Sequence, residues 1–132
     1  MKNLDRTGII LYTIAYEACV VFYRDVLELE IMFSTEMLTC FSFGGAYLMV
    51  ELDDTYDSSI ESEQHVRTRS CLRMNTSNVK TMKDRLIAHG IKVDYQEHSW
   101  GTIAKFHDPD GNLCAFKDSQ KFEAQVAGKK LT

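Results

Sequence analysis

Residues 100–116, WGTIAKFHDPDGNLCAF, predict a strand, a tight turn and a second strand. The turn is predicted because residues 108–112, Asp-Pro-Asp-Gly-Asn, are all types that favour turns. Side chains alternate between the two faces of a strand. Leu113 and Ala115 are therefore expected to lie together on one face of the second strand.

One order of predicted elements, βαβββ, occurs twice along the chain. The first set is an apolar strand at 8–14, a helix within 16–30 and strands at 30–34, 38–43 and 47–52. The second set is a strand at 70–75, a helix at 78–89 and strands at 91–96, 101–107 and 112–116. The sets are offset by roughly 60 residues, and such a fixed period indicates an internal repeat.

Apolar stripes at helical spacing predict the two helices. The first stripe is Cys19, Phe22, Tyr23, Val26 and Leu27, and the second is Val79, Met82, Leu86 and Ile87. Ser77 or Asn78 is the expected N-cap of the second helix, and Gly90 its C-cap. We therefore expect one domain with module one at about 7–53, a polar linker at 54–67, module two at 68–118 and a polar tail at 119–132.

Composition and charge exclude several classes of function. The 132 residues carry a net charge of −4 and no run of Lys and Arg, which argues against a nucleic-acid partner. The four cysteines are widely spaced without a CxxC pair, so reduced thiols are expected rather than a zinc finger. The sequence begins without the apolar core of a signal peptide, and no apolar stretch is long enough to cross a membrane. We expect a cytoplasmic protein with no membrane partner.

Two stretches resemble the vicinal oxygen chelate superfamily, which includes glyoxalase I, bleomycin-resistance and fosfomycin-resistance proteins, and extradiol dioxygenases. Residues 22–30, FYRDVLELE, are similar to that family's first helix running into its second strand. Residues 100–116 are similar to its closing hairpin. The resemblance implies an α+β fold in which two βαβββ modules form a curled, cup-like mixed sheet with helices outside. It also implies a homodimer.

The resemblance further implies where a divalent metal would bind, since its ligands come from the first and last strands of each module. The matching positions here are Gly8, Glu51, Cys71 and Ala115. Glycine and alanine have no side-chain donor, whereas a catalytic metal generally has three protein ligands. We therefore expect no metal cofactor. His65 is a candidate substitute ligand, but it falls in the predicted linker.

The residues predicted to line the cup suit an organic ligand. Strand alternation and the position of the closing hairpin select them: Tyr12, Tyr47, Met49, Glu51, Arg73, Trp100, Phe106 and Leu113. Aromatic and apolar walls with a few polar groups are typical of small-molecule pockets. We predict a small-molecule-binding protein for an aromatic or cationic compound. The resemblance to bleomycin-resistance proteins, in which such a hairpin borders the drug groove, extends this prediction to drug resistance.

Three other interpretations are open at this point. Glu51 and Arg73 could pair and satisfy two semi-buried charges without a ligand. A metal-dependent lyase or dioxygenase would use Glu51 and Cys71 with a further ligand, from His65 or the partner chain. A metal-free enzyme would use Glu51 as a general acid or base in an apolar environment.

Overall fold

The computed structural model describes residues 5–53 and 70–131. Its contacts divide the chain into two units, Met1–Val66 and Arg67–Thr132. Each unit contains one of the two predicted sets of elements, and we describe the units separately as module one and module two. The predicted linker at 54–67, with His65, lies outside the described residues.

Module one is a four-stranded mixed sheet with a helix on one side. Its elements are β1 (Gly8–Thr13), α1 (Tyr16–Val21), a π-helical turn (Phe22–Val26), β2 (Ile31–Ser34), β3 (Leu38–Phe43) and β4 (Ala46–Leu52). The strand order is β1-β4-β3-β2. β1 runs parallel to β4, whereas the pairs β2–β3 and β3–β4 are antiparallel.

Module two repeats this architecture. Its elements are β5 (Leu72–Thr76), α2 (Val79–Ala88), β6 (Asp94–His98), β7 (Gly101–His107), β8 (Leu113–Asp118) and α3 (Ser119–Leu131). The strand order is β5-β8-β7-β6. β5 runs parallel to β8, as β1 does to β4. The predicted α+β class and the doubled βαβββ order are therefore confirmed.

α1 and the π-helical turn bury one stripe of side chains against the sheet. Cys19, Phe22 and Tyr23 are buried, and the centroid of the Tyr23 ring lies 6.1 Å from that of Phe41. The sequence predicts a continuous helical stripe here, but the helix widens where the Leu27 amide donates to the Phe22 carbonyl at 3.0 Å. This wider turn keeps both Phe22 and Leu27 on the buried side.

Each sheet packs one face against a helix, α1 in module one and α2 in module two. We call the opposite face of each sheet the distal face. In module one, the Thr13 hydroxyl lies 3.4 Å from the Cys19 sulfur of α1. In module two, the Lys83 ammonium of α2 lies 4.7 Å from the centroid of the Tyr95 ring. Alternation along each strand and pairing across the strands then assign every other residue to a face.

α2 starts and stops at local signals that the sequence contains. The Asn78 side chain accepts a hydrogen bond from the Thr81 amide at 3.0 Å, as an N-cap does. Beyond the helix, Gly90 has a φ of +77°, which glycine adopts without steric cost. Val79 and Leu86 of the predicted stripe are buried.

Several strand boundaries in module two differ from the prediction, most of all the start of β6. β6 begins at Asp94 rather than at residue 91, because the Ile91 amide still donates to the Leu86 carbonyl of α2 at 3.0 Å. The polar tail forms the 13-residue helix α3. Among the described helices, none has the length and apolar character needed to cross a membrane.

The closing hairpins of the two modules use different turns. β3 and β4 are joined through Gly44 and Gly45, and Gly44 has a φ of +62°. β7 and β8 are joined through the buried Asp108, whose Oδ1 accepts from the amides of Asp110 at 2.9 Å and Asn112 at 2.8 Å. The first side chain of DPDGN therefore holds the turn that this sequence predicts.

Candidate functional site

The distal face of module one gathers four residues that the sequence predicts to contact a ligand. Tyr12 of β1 pairs with Glu51 of β4. Met49 and Tyr47 precede Glu51 at alternate positions of the same strand and share its face. Tyr12 is 59% exposed, whereas the three β4 side chains are half-buried. This face therefore offers two phenol rings, a thioether and one carboxylate.

Tyr47 covers Gly8 at the start of β1. The two residues are paired in the sheet, and a Cβ atom built on Gly8 would overlap Cε2, Cζ and Cδ2 of the Tyr47 ring. Gly8 is also a position at which the resemblance implies a metal ligand. Any side chain at position 8 would have to displace the ring.

The distal face of module two is basic. Arg73 of β5 and Lys105 of β7 both pair with Ala115 of β8, so the three residues form one cross-strand row. Both cations are exposed, and Ala115 is buried. Leu113 pairs with His107 in the next row. The sequence analysis predicts Arg73 and Leu113 for this face but not Lys105, although alternation along β7 indicates it.

Cys71 directly precedes β5, close to this basic row. Partial burial raises the pKa of its thiol, and the positive charges of Arg73 and Lys105 oppose that rise. The residue as a whole is nevertheless exposed. Metal binding and nucleophilic attack both need the thiolate, so a raised pKa weakens Cys71 for either role at neutral pH.

Trp100 is held against β8 by a buried lysine. The Lys117 ammonium donates to the Trp100 carbonyl oxygen at 3.2 Å and lies 5.1 Å from the centroid of the indole. The His98 ring stacks on Trp100 with centroids 4.5 Å apart. Trp100 is still 44% exposed, so a fixed indole remains accessible to a ligand. Nothing in the local sequence marks Lys117 as a buried cation.

Phe106 lies in the core and not at the wall of a ligand site. Its side chain is only 1% exposed, and its ring stacks on Phe116 with centroids 5.5 Å apart. Phe106 sits between Lys105 and His107 on β7, so it points to the face that α2 covers. We therefore remove Phe106 from the candidate site.

The side chains at the four predicted metal positions do not fit a divalent ion. In module one, Gly8 offers no donor and Glu51 offers one carboxylate. In module two, Ala115 offers no donor and the pKa of the Cys71 thiol is raised. Within residues 5–53 and 70–131, no group of three or more His, Cys, Asp or Glu side chains is placed to hold a metal. These positions fall short of the three protein ligands of a typical catalytic site.

A groove of module one lies apart from these residues, where β1 leads into α1. It has a volume of about 440 Å³ and is lined by Ile14, Ala15, Tyr16, Glu17, Ala18, Glu36 and Leu52. Its lining includes none of the side chains that the sequence predicts to bind a ligand. Each module therefore has its own candidate site, the distal face of its sheet.

A family comparison matches most of the chain. Residues 4–116 fit the model of the Glyoxalase/Bleomycin resistance protein/Dioxygenase superfamily. The chain belongs to this superfamily. Membership confirms the resemblance that residues 22–30 and 100–116 carry. No curated protein matches the chain.

Solved structures share the superfamily fold with this chain at low sequence identity. Lactoylglutathione lyase from Agrobacterium tumefaciens is 19% identical, with a TM-score of 0.72 over 92% of this chain and 98% of that one. A glyoxalase family protein from Bacillus anthracis is 16% identical, with a TM-score of 0.69 over 89% and 98%. An integron cassette protein from V. cholerae is 19% identical, with a TM-score of 0.64 over 89% and 96%. These similarities establish the fold and do not identify an activity.

Proposed function

We propose that this chain is a metal-free small-molecule-binding protein of the glyoxalase/bleomycin-resistance type. The proposal rests on the surroundings of Gly8 and Ala115, the two metal positions without a side-chain donor. The Tyr47 ring covers Gly8, and Ala115 lies between Arg73 and Lys105. A divalent cation would meet an aromatic ring at the first position and positive charge at the second. Both surroundings favour an organic ligand over a metal ion.

The accessible rings of the candidate site favour an aromatic ligand. Tyr12 and Trp100 are well exposed, and Tyr47 is half-buried on a distal face. An aromatic contact adds about 0.5–1.5 kcal/mol beyond the area that it buries. A cationic ligand would in addition interact with Glu51 on the distal face of module one.

The metal content of the purified protein tests the metal-free part of the proposal. After expression in metal-supplemented medium and purification without chelators, we expect far less than one divalent ion per chain. Glu51→Gln should leave this content unchanged. One ion per chain that is lost in Glu51→Gln would overturn the proposal and support a metal-dependent lyase or dioxygenase.

A thermal-shift screen of aromatic compounds, followed by calorimetric titration of the hits, tests the binding part. We expect Tyr12→Ala, Tyr47→Ala or Trp100→Ala to weaken binding by about two- to tenfold, the equivalent of one lost aromatic contact. Val21→Ala is the control, because Val21 is an exposed apolar residue of α1 outside the candidate site. Hits that bind all three variants as tightly as the wild type would contradict the proposal.

A homodimer in the cytoplasm and a role in drug resistance complete the proposal. Light scattering on the purified protein should give twice the 15.1 kDa mass of one chain. Overexpression should raise tolerance to bleomycin in a growth assay, with less protection from the three alanine variants. Equal tolerance with and without the protein would remove bleomycin resistance from the proposal.

A further inference from the structure

Arg73, Ala115 and Lys105 form a row across three adjacent strands on the distal face of module two. We propose that this row binds an anionic group, a carboxylate or a phosphate, of an organic ligand. The inference rests on the proposed function, because it names the chemical class of the small molecule that the protein binds. Of the aromatic or cationic compound predicted from the sequence, it takes the aromatic alternative and adds an acidic group.

The spacing of the row suits a single oxyanion. Neighbouring strands lie about 4.8 Å apart, which places the Cα atoms of Arg73 and Lys105 about 10 Å apart, on either side of Ala115. Both long side chains leave the sheet on the same face and are exposed. They flank the buried Ala115 and can therefore converge on one group from its two sides.

No carboxylate of the described residues forms an ion pair with the row. Arg73 and Lys105 form no ion pair within the described part of the chain. Asp94 pairs with Lys105 across β6 and β7, and its oxygens accept from the Gln96 side-chain amide at 3.1 and 3.2 Å. Its charge offsets part of that of Lys105, so the row and Asp94 together remain net positive. The field of both cations extends to Cys71, where it opposes the larger effect of burial on the thiol pKa.

Arginine and lysine together match the chemistry of an oxyanion. A guanidinium donates two parallel hydrogen bonds to the oxygens of one carboxylate or phosphate, and an ammonium adds a compact positive charge. Ala115 stands where the resemblance implies a metal-binding carboxylate. A carboxylate at that position would neutralise part of the row, whereas alanine leaves the positive charge available. The positive charges of Arg73 and Lys105 therefore repel a metal ion and attract an anion.

Matched probes added to the ¹⁵N-labelled full chain test this assignment by correlation spectroscopy. The aromatic probes are benzoate, phenyl phosphate and benzylamine, and inorganic phosphate is the probe without a ring. We expect both aromatic anions to cause saturable shifts at the amides of residues 73, 105 and 115, and benzylamine to cause none there. Tighter binding of phenyl phosphate than of benzoate would assign a phosphate ligand, and the reverse order a carboxylate.

Charge-removing variants establish whether the two cations bind the probes. The double variant Arg73→Gln/Lys105→Gln should bind both aromatic anions about tenfold or more weakly, because hydrogen bonds to charged groups are lost. Lys80→Gln is the matched control, since it removes an exposed cation from α2, on the opposite side of the sheet. Unchanged signals elsewhere in the spectrum will show that the variants are folded.

The absence of shifts at residues 73, 105 and 115 would overturn the assignment. Equal anion affinity in the wild type and the double variant would overturn it as well. Shifts with benzylamine alone on module one would also reject it, while leaving the proposed function in place. If the proposed function fails instead, inorganic phosphate will still shift the row, but the aromatic ring will add no affinity.

Discussion

The two modules are alike on their helix-facing sides and different on their distal faces. Phe41 and Phe106 are 0% and 1% exposed, and each lies beside another aromatic ring. On the distal faces, Tyr47 covers a glycine in module one, whereas Arg73 and Lys105 flank an alanine in module two. The repeated skeleton therefore depends on the helix-facing residues, and the chemistry of each module depends on the distal ones.

The largest effects should come from the sides that the modules share. Phe41→Ala and Phe106→Ala should each lower the free energy of unfolding by about 3–5 kcal/mol, because each leaves a cavity in a packed core. Tyr12→Ala should change it by about 0.5 kcal/mol or less, since that ring is 59% exposed. Urea denaturation measures all three. A small effect for Phe106→Ala would return that residue to a ligand-facing position.

The closing hairpins should respond differently to substitution. Asp108→Ala should lower the free energy of unfolding by about 1–3 kcal/mol, because it leaves turn amides without their acceptor. Asp108→Asn keeps an acceptor and should lower it less. Gly44→Ala in the other hairpin should cost about 1 kcal/mol, since alanine resists a left-handed backbone. Thermal unfolding of the three variants checks this order. Equal losses for the two Asp108 variants would mean that its hydrogen bonds do not hold the turn.

The contact between Gly8 and Tyr47 should appear as coupling between the two positions. Gly8→Ala should cost about 1 kcal/mol in the wild type, because the new methyl group displaces the Tyr47 ring. The same substitution in a Tyr47→Ala background should cost much less. A double-mutant cycle by urea denaturation measures this difference. Additive effects would show that the ring moves aside freely.

The smallest effect concerns the thiol beside the basic row. The pKa of Cys71 is raised by burial, so its alkylation by iodoacetamide should reach half-maximal rate at a higher pH than that of an unfolded thiol. Arg73→Gln should move this midpoint further up, because one opposing positive charge is lost, and Lys80→Gln should not move it. The raised folded-state pKa contributes stability that is present below the unfolded pKa and lost as pH rises through the folded one. An unchanged midpoint in Arg73→Gln would show that the positive charge of Arg73 does not lower the pKa of the Cys71 thiol.

The fold was predictable because its signals are local. Residues 101–107 alternate as a strand and form β7 with the predicted bounds. Asn78 caps α2, as its position before an apolar stripe indicates. Asp108 begins the turn that DPDGN predicts. Each of these features depends on residues close together in the chain.

The candidate site was less predictable because its main features join distant residues. The contact of Tyr47 with Gly8 depends on the parallel register of β1 and β4. The row of Arg73 and Lys105 depends on two pairings that meet at β8. Proximity to Trp100 in the chain predicts Phe106 at a ligand wall, but it does not reveal the face of β7 to which the ring points. Only the neighbours of Phe106 on β7, read by alternation, decide that it is buried.

The Tyr47 ring over Gly8 also limits the order in which this sequence can change. A histidine introduced at position 8 would collide with the ring before it could coordinate anything. Replacing Tyr47 first removes the collision, but it also removes a half-buried ring from the sheet. A metal ligand at position 8 of β1 therefore requires two substitutions, and the intermediate with only one of them is less stable than the starting sequence.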